Sequence, residues 1–283
     1  MLRLVALVLV CLLPAAVSAQ EPPPAPPPAP VPAQPEPERS DPDVLVDPLQ
    51  PDFTLATLPT TLRMPAGRFA FRVTHGLTRD LGEGSFGDTV SDLFGLDGGS
   101  QVALELRYGL LPGTQVGVHR TSTRAIQIFG QQNLLNQRDG GRFGLDAIAT
   151  LEGDENLREH HQGAFGLALS KNLGSRAALY ADPILVLNAN PFDIGDQHTL
   201  IVGLGGRVRV RPSVYVVGEY TPRVAGHSPF VNQLSVAVEK RAGGHVFQIN
   251  VSNGLGTTYG QLARGAVDYD HWFLGFNLSR KLF

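Results

Sequence analysis

The sequence has 283 residues, 23 Lys+Arg against 26 Asp+Glu, a formal net charge of −3 and 42% hydrophobic residues, with mean hydropathy −0.02. A slightly acidic chain without a basic stripe is not built for a phosphate backbone, so no nucleic-acid partner is expected. The single cysteine, Cys11, lies in an apolar run near the start, which excludes disulfides, a thiol nucleophile and cysteine metal sites from the mature chain.

Residues 1–19 have Arg3, an apolar run from Leu4 to Leu13, Pro14 and then small residues from Ala15 to Ala19. This is the layout of a cleaved secretory signal, and the run is too short to span a bilayer. Val10 before Cys11 argues against a lipoprotein. Residues 20–52 are expected to form a proline-rich periplasmic linker, polyproline-like or disordered, because proline lacks the amide donor and has a fixed φ. No later apolar stretch approaches the roughly 20 residues of a spanning helix.

From 53 to 283 the pattern changes to alternation with a period of two. In the stretch from Leu200 to Tyr220, Leu200, Val202, Leu204, Val208 and Val210 alternate with Ile201, Gly203, Gly205, Arg207 and Arg209; after Arg211-Pro212-Ser213 the zigzag resumes and places Glu219 on the arginine side. The same reading predicts strands at about 68 to 75, 100 to 109, 114 to 121, 124 to 134, 142 to 151, 161 to 170, 176 to 187, 198 to 210, 214 to 221, 230 to 240, 245 to 252 and 270 to 281. A short helix over 88 to 94 is allowed in the first loop. Connections after even strands are short and rich in turn residues; those after odd strands are longer, with Ser122-Thr123 as the exception. Such sorting, an even strand count and segments of about 8 to 13 residues, against the roughly 9 to 11 that cross hydrocarbon at a tilt, fit an all-β, antiparallel up-and-down transmembrane β-barrel of about 12 strands.

Barrel size decides which face is inside. Eight strands enclose a space that side chains fill, whereas about twelve enclose a lumen that valine and leucine do not close. The apolar face therefore points to lipid, and the inward face is expected to carry Glu105, Arg107, His119, Asp146, Arg207, Arg209, Glu219 and Glu239. Two readings of these charges stand side by side. In one they pair across the lumen and hold or plug the barrel; in the other they line a narrow polar passage that Arg207 and Arg209 bias towards anions.

Pro59 to His75, Leu93 to Ser122 and the ending Leu274 to Phe283 resemble a family of bacterial β-barrel proteins of unknown function, best known from Bacteroidetes-type genomes. The resemblance spans roughly 53 to 283 and implies an envelope barrel; it implies no activity and no ligand-binding residue. Phe283 matches the terminal phenylalanine common in such barrels, but Asn277, Ser279 and Lys281 occupy the alternate positions that are ordinarily apolar. A bulge that shifts the register, or a Lys281 that snorkels at the interface, is the expectation.

Candidate chemistry is thin. His119 and Ser122, three apart in a strand, point to opposite faces, and no carboxylate is evident to orient the imidazole. Asp268 to His271, and Asp154-Glu155 with His160-His161, are loop carboxylates and imidazoles whose spacing matches no metal site. The glycines at 203, 205 and 206 sit in a strand with no helix after them, so they leave room for neighbours rather than cradle a phosphate. No enzyme activity, cofactor or metal is expected. The expected role is a narrow passive pore or structural envelope protein in the outer membrane of a Gram-negative bacterium. Its expected partners are outer-membrane lipid, the barrel-assembly machinery and small polar solutes. A rim-active lipid hydrolase and a secreted soluble barrel binding an apolar ligand are the alternatives.

Overall fold

The computed structural model describes residues 47–282 apart from Asp97, Asp193, Ile194 and Asp196. The expected signal segment, most of the expected linker and Phe283 lie outside the described residues. Within them, alternating sequence becomes thirteen strands. They are β1 (Phe69–Asp80), β2 (Ser100–Leu111), β3 (Thr114–Thr121), β4 (Ile126–Leu135), β5 (Gly144–Gly153), β6 (Glu159–Leu173) and β7 (Ala177–Leu187). Then follow β8 (Thr199–Arg211), β9 (Val214–Thr221), β10 (Arg223–Gly226), β11 (Gln233–Ala242), β12 (His245–Ser252) and β13 (Phe273–Leu282).

Each long strand pairs antiparallel with its chain neighbour, and β13 closes on β1 from Phe69↔Leu282 to Gly76↔Gly275. β8 pairs with both β9 and β10, which Pro222 separates, so the two share one stave and the closed barrel has twelve. The break is physical: proline donates no ladder hydrogen bond. Closure pairs the backbone within the protein and leaves no open edge, as a bilayer interior requires. β10 is an element that the alternation did not reveal.

The two faces separate as the zigzag dictates. On β2, Leu104 and Leu106 point outward and are 46% and 49% exposed, while Ala103, Glu105 and Arg107 are buried inside. Val208, Val216, Val236, Val238, Phe247 and Ile249 extend the outward apolar surface around the barrel. A soluble barrel with an apolar interior is thereby overturned, since its leucines and valines would face inward. The ending is corrected as well. The β1–β13 register runs unbroken from Gly275 past Asn277 and Ser279 to Lys281, so no bulge falls in the ending, and Lys281 turns into the barrel to donate to the Pro51 carbonyl rather than snorkel.

Short turns occupy one end of the barrel. At the other, the β1–β2 loop holds a helix at Phe86–Ser91, started by a Ser85/Asp88 capping box two residues before the expected position, then a 3₁₀ turn at Leu93–Gly95.

Candidate functional site: an occupied lumen

The interior is filled from both ends by segments of the same chain. From the short-turn end, Asp47 to Met64 folds into the barrel as a hairpin. Thr54 bridges Pro59, the Leu55 amide donates to the Leu58 carbonyl at 2.8 Å and Thr60 to Phe53 at 2.8 Å, which puts the tip at Ala56-Thr57. Residues 47–52, expected in the linker, are thus part of the barrel's filling. The alternation signal was silent here because the hairpin pairs with itself and has too few residues to show a period.

The wall reads the hairpin's backbone. Glu219 on β9 accepts the amides of Ala56, Thr57 and Leu58 at 2.9–3.1 Å and the Thr57 hydroxyl, an anion held in a backbone nest. From β1, Arg72 Nη1 pairs with Asp52 at 2.7 Å, and its Nη2 donates to the carbonyls of Leu55 (3.2 Å) and Ala56 (2.8 Å). Ser279 donates to Asp52 at 2.6 Å. Gln248 donates to Leu55 O, Arg207 to Thr54 O, Gln131 to Thr60 O and Gln115 to Leu62 O, at 2.7–3.1 Å.

Apolar contacts complete the seat. Leu49, Leu55 and Leu58 pack with Ile148, Tyr180, Ile184, Ile201 and Val217 of the wall. The interior is therefore polar around most of its circumference and apolar on the β5–β9 side. Gly203 and Gly205 leave the room: a Cβ at 203 would overlap the Leu58 side chain, and one at 205 the Leu55 side chain. The neighbours for which these glycines make space are the hairpin's leucines.

From the other end, the β12–β13 loop folds inward as a helix, Tyr259–Arg264, whose Tyr259, Leu262 and Ala263 are buried in the same apolar cluster. Glu152 accepts the Gly260 amide at 3.0 Å and the Thr258 hydroxyl at 2.6 Å, and Gln127 accepts the Tyr259 amide at 2.9 Å.

The charged residues singled out from the sequence have distinct places. Arg207 and Glu239 form an ion pair at 2.8 Å with neither side chain exposed, so Arg207 is neutralised and the expected anion bias of an Arg207/Arg209 pair does not arise. Arg209 sits half-buried at the short-turn end, beside Asp47 and Pro48. Arg107 pairs with Glu105 at 2.9 Å and lies between the rings of Phe53 and Phe129, 5.0 and 4.6 Å from their centres. Asp146 accepts from Gln131 and Asn133, each at 2.6 Å. His119 is buried, its Nε2 3.1 Å from the Thr257 hydroxyl and its Nδ1 3.5 Å from Glu105. A carboxylate does face that imidazole, contrary to the sequence reading; Glu105 is two residues from Arg107 and comes opposite His119 through the β2–β3 register. Ser122 is spent elsewhere, accepting the Val102 amide at 3.0 Å.

Arg72, Asp52 and Asp182 were missed. Arg72 was legible as the inward partner of Ala70 and Thr74, whereas Asp182 is obscured in sequence by Pro183. Asp182 is fully buried on β7.

The loop groups weighed as cation ligands have other engagements. His271 Nδ1 contacts Asp268 at 2.6 Å and its Nε2 faces Asp80 at 3.8 Å. The hydrogen bond and charge of Asp268 raise the His271 pKa above the ordinary value, and that same bond lowers the Asp268 pKa. Asp154 pairs with Arg264 and Glu155 with Arg124. Among the described residues, no group of three His, Cys, Asp or Glu side chains is placed to hold a metal.

A closed twelve-stave barrel, greasy outside and filled by its own chain, defines a membrane-bound β-barrel with an occluded lumen. The chain belongs to the family described as "Membrane bound beta barrel domain (DUF5777)", whose pattern matches residues 52–282. No curated protein matches it in sequence. Among solved structures it is similar in fold to the NanC porin, at 7% identity and TM-score 0.50, over 76% of this chain and 100% of that one. It also matches an outer membrane channel from Pseudomonas putida F1 (13% identity, TM-score 0.46, 77% and 97% covered). A third match is Omp33 of Acinetobacter baumannii (9%, 0.47, 76% and 98%).

Proposed function

We propose that the chain is an outer-membrane channel for small polar solutes, held shut by its own hairpin and opened when the hairpin leaves through the short-turn end. The observation that carries this reading is how the hairpin is attached. Its backbone hydrogen bonds run within itself or to wall side chains, while the strand ladder is closed without it. Both of its arms lie at one end, so withdrawal breaks no strand pairing. Barrel folds of the NanC kind, a porin by name, support the reading at the level of fold. With short turns on the periplasmic side, as is usual for such barrels, the hairpin's two arms open towards the periplasm.

A second reading, a permanently sealed structural barrel, is favoured by the apolar seat of Leu55 and Leu58. Planar-bilayer conductance of the full chain separates the two. The wild type is expected to be closed for most of the recording, and Gly205→Val, which crowds Leu55, to show sustained openings. A Gly205→Val chain that folds, as reported by a heat-dependent gel shift, and stays silent would leave the structural reading.

A further inference from the structure

The hairpin tip shows what the wall recognises. Ala56 alone bridges it: its N–H donates to Glu219 at 3.0 Å, and its carbonyl accepts from Arg72 at 2.8 Å. At this level the lumen reads the nitrogen and the carbonyl oxygen of a single residue, one with a carboxylate and the other with a guanidinium. Apart from the wall's own ion pairs, basic and carboxyl side chains around them are sorted by side. β1 and β7 are six staves apart in a closed sheet of twelve, hence opposite. Arg72 on β1 and Lys281 on the adjoining β13 face the arc that carries Asp146 on β5, Asp182 on β7 and Glu219 on β9. Arg107 and Arg207 are matched on the wall by Glu105 and Glu239, and Asp52, the partner of Arg72, departs with the hairpin.

A crevice opens beside Ala56 and Thr57. Its wall includes Thr74, Gln101, Gln233, Ser235, Asn250 and Ser252, all uncharged, with His75 beside them stacking its ring on the outward Phe276. Gln233 is 2% exposed and its Oε1 has no partner.

We propose that the space vacated by the hairpin tip is a binding site for a free α-amino acid with a small uncharged polar side chain. Its ammonium takes the place of the Ala56 amide on Glu219, its carboxylate replaces the carbonyl on Arg72, and its side chain enters the amide- and hydroxyl-lined crevice. Each contact is then charge-assisted from both sides, and the ligand's carboxylate takes over from the departing Asp52 as the counter-charge of Arg72. The proposal rests on the channel reading, and a solute-flux experiment separates the two.

Full-length Gly205→Val, with Gly203→Val crowding Leu58 as a second release variant, is reconstituted in liposomes, and swelling is followed in serine and in erythritol, an uncharged solute of similar size. Serine is expected to enter about tenfold faster, the order of one charge-assisted contact, and N-acetylserine and ethanolamine, each lacking one charge, to lose that advantage. Adding Glu219→Gln or Arg72→Gln is expected to bring the serine-to-erythritol ratio towards one. Equal entry of serine and erythritol, or a ratio indifferent to both substitutions, overturns the site while leaving a channel. Folded release variants that admit neither solute overturn the channel and the site together.

Discussion

At the scale of single residues, Glu219 has the largest consequence for its size. Its carboxylate accepts three successive amides and a hydroxyl at the hairpin tip. Loss of one oxygen's charge in Glu219→Gln leaves tip donors poorly satisfied, at about 1–3 kcal/mol for a buried group. The amides of Ala56, Thr57 and Leu58 are then expected to exchange about 10- to 100-fold faster by hydrogen exchange in detergent micelles, with the strand ladder protected as before. Uniform acceleration across β1 to β13 would instead show that Glu219 supports the barrel as a whole. Outside the barrel, His271 has a raised pKa because of Asp268, and Asp268 a lowered one because of His271. Linkage gives opposite signs for the two. The imidazolium's contribution is fully present below the ordinary histidine value and is lost as pH rises through the raised one; the carboxylate's is lost as pH falls through its lowered value. The loop contact therefore has a window with both an acid and an alkaline limit. NMR titration of the His271 ring is expected to show a midpoint above the ordinary value that Asp268→Asn lowers, and a midpoint unmoved by that change would remove Asp268 as the cause.

At the scale of elements, the hairpin and the inward helix share one apolar cluster, in which Leu55 and Leu58 meet Tyr259 and Leu262. Loosening one element exposes the other's apolar face to an aqueous lumen, so their stabilities are coupled. Gly203 and Gly205 are where that coupling is most accessible to substitution, because added side-chain volume crowds Leu58 and Leu55 without removing any hydrogen-bonding group from the wall. The strands themselves were legible: β3, β9 and β12 have the expected limits, and the others differ mainly at their ends. The hairpin was not. A segment that satisfies its backbone through Arg72, Gln115, Gln131, Arg207 and Gln248 depends on donors that are distant in sequence. Nothing in Asp47 to Met64 announces which wall it will meet. The Glu105–His119 contact was hidden for a related reason, since it depends on strand register rather than on spacing within a strand.

At the scale of the molecule, the governing fact is that the outward face is apolar around the whole circumference. Ile249 on β12 is 63% exposed on that face. In a bilayer this exposure is burial in acyl chains, and Ile249→Arg is expected to destabilise the barrel by about 2–4 kcal/mol if the position lies near the midplane. The checking measurement is urea-dependent folding into lipid vesicles, read by gel shift. A substitution without effect there would place residue 249 outside the hydrocarbon.

Alternation, turn chemistry and loop-length sorting lie in the chain itself, because a strand's side chains change face at every residue whatever surrounds it. From them followed the barrel class, the strand number and the direction of the apolar face. Tertiary structure alone decided that the lumen is occupied, that Arg207 is cancelled by Glu239, and that Glu219 and Arg72 converge on one residue of the hairpin. Those facts depend on the stagger of closed strands and on the path of a segment that pairs with side chains. Neither leaves a period in the sequence.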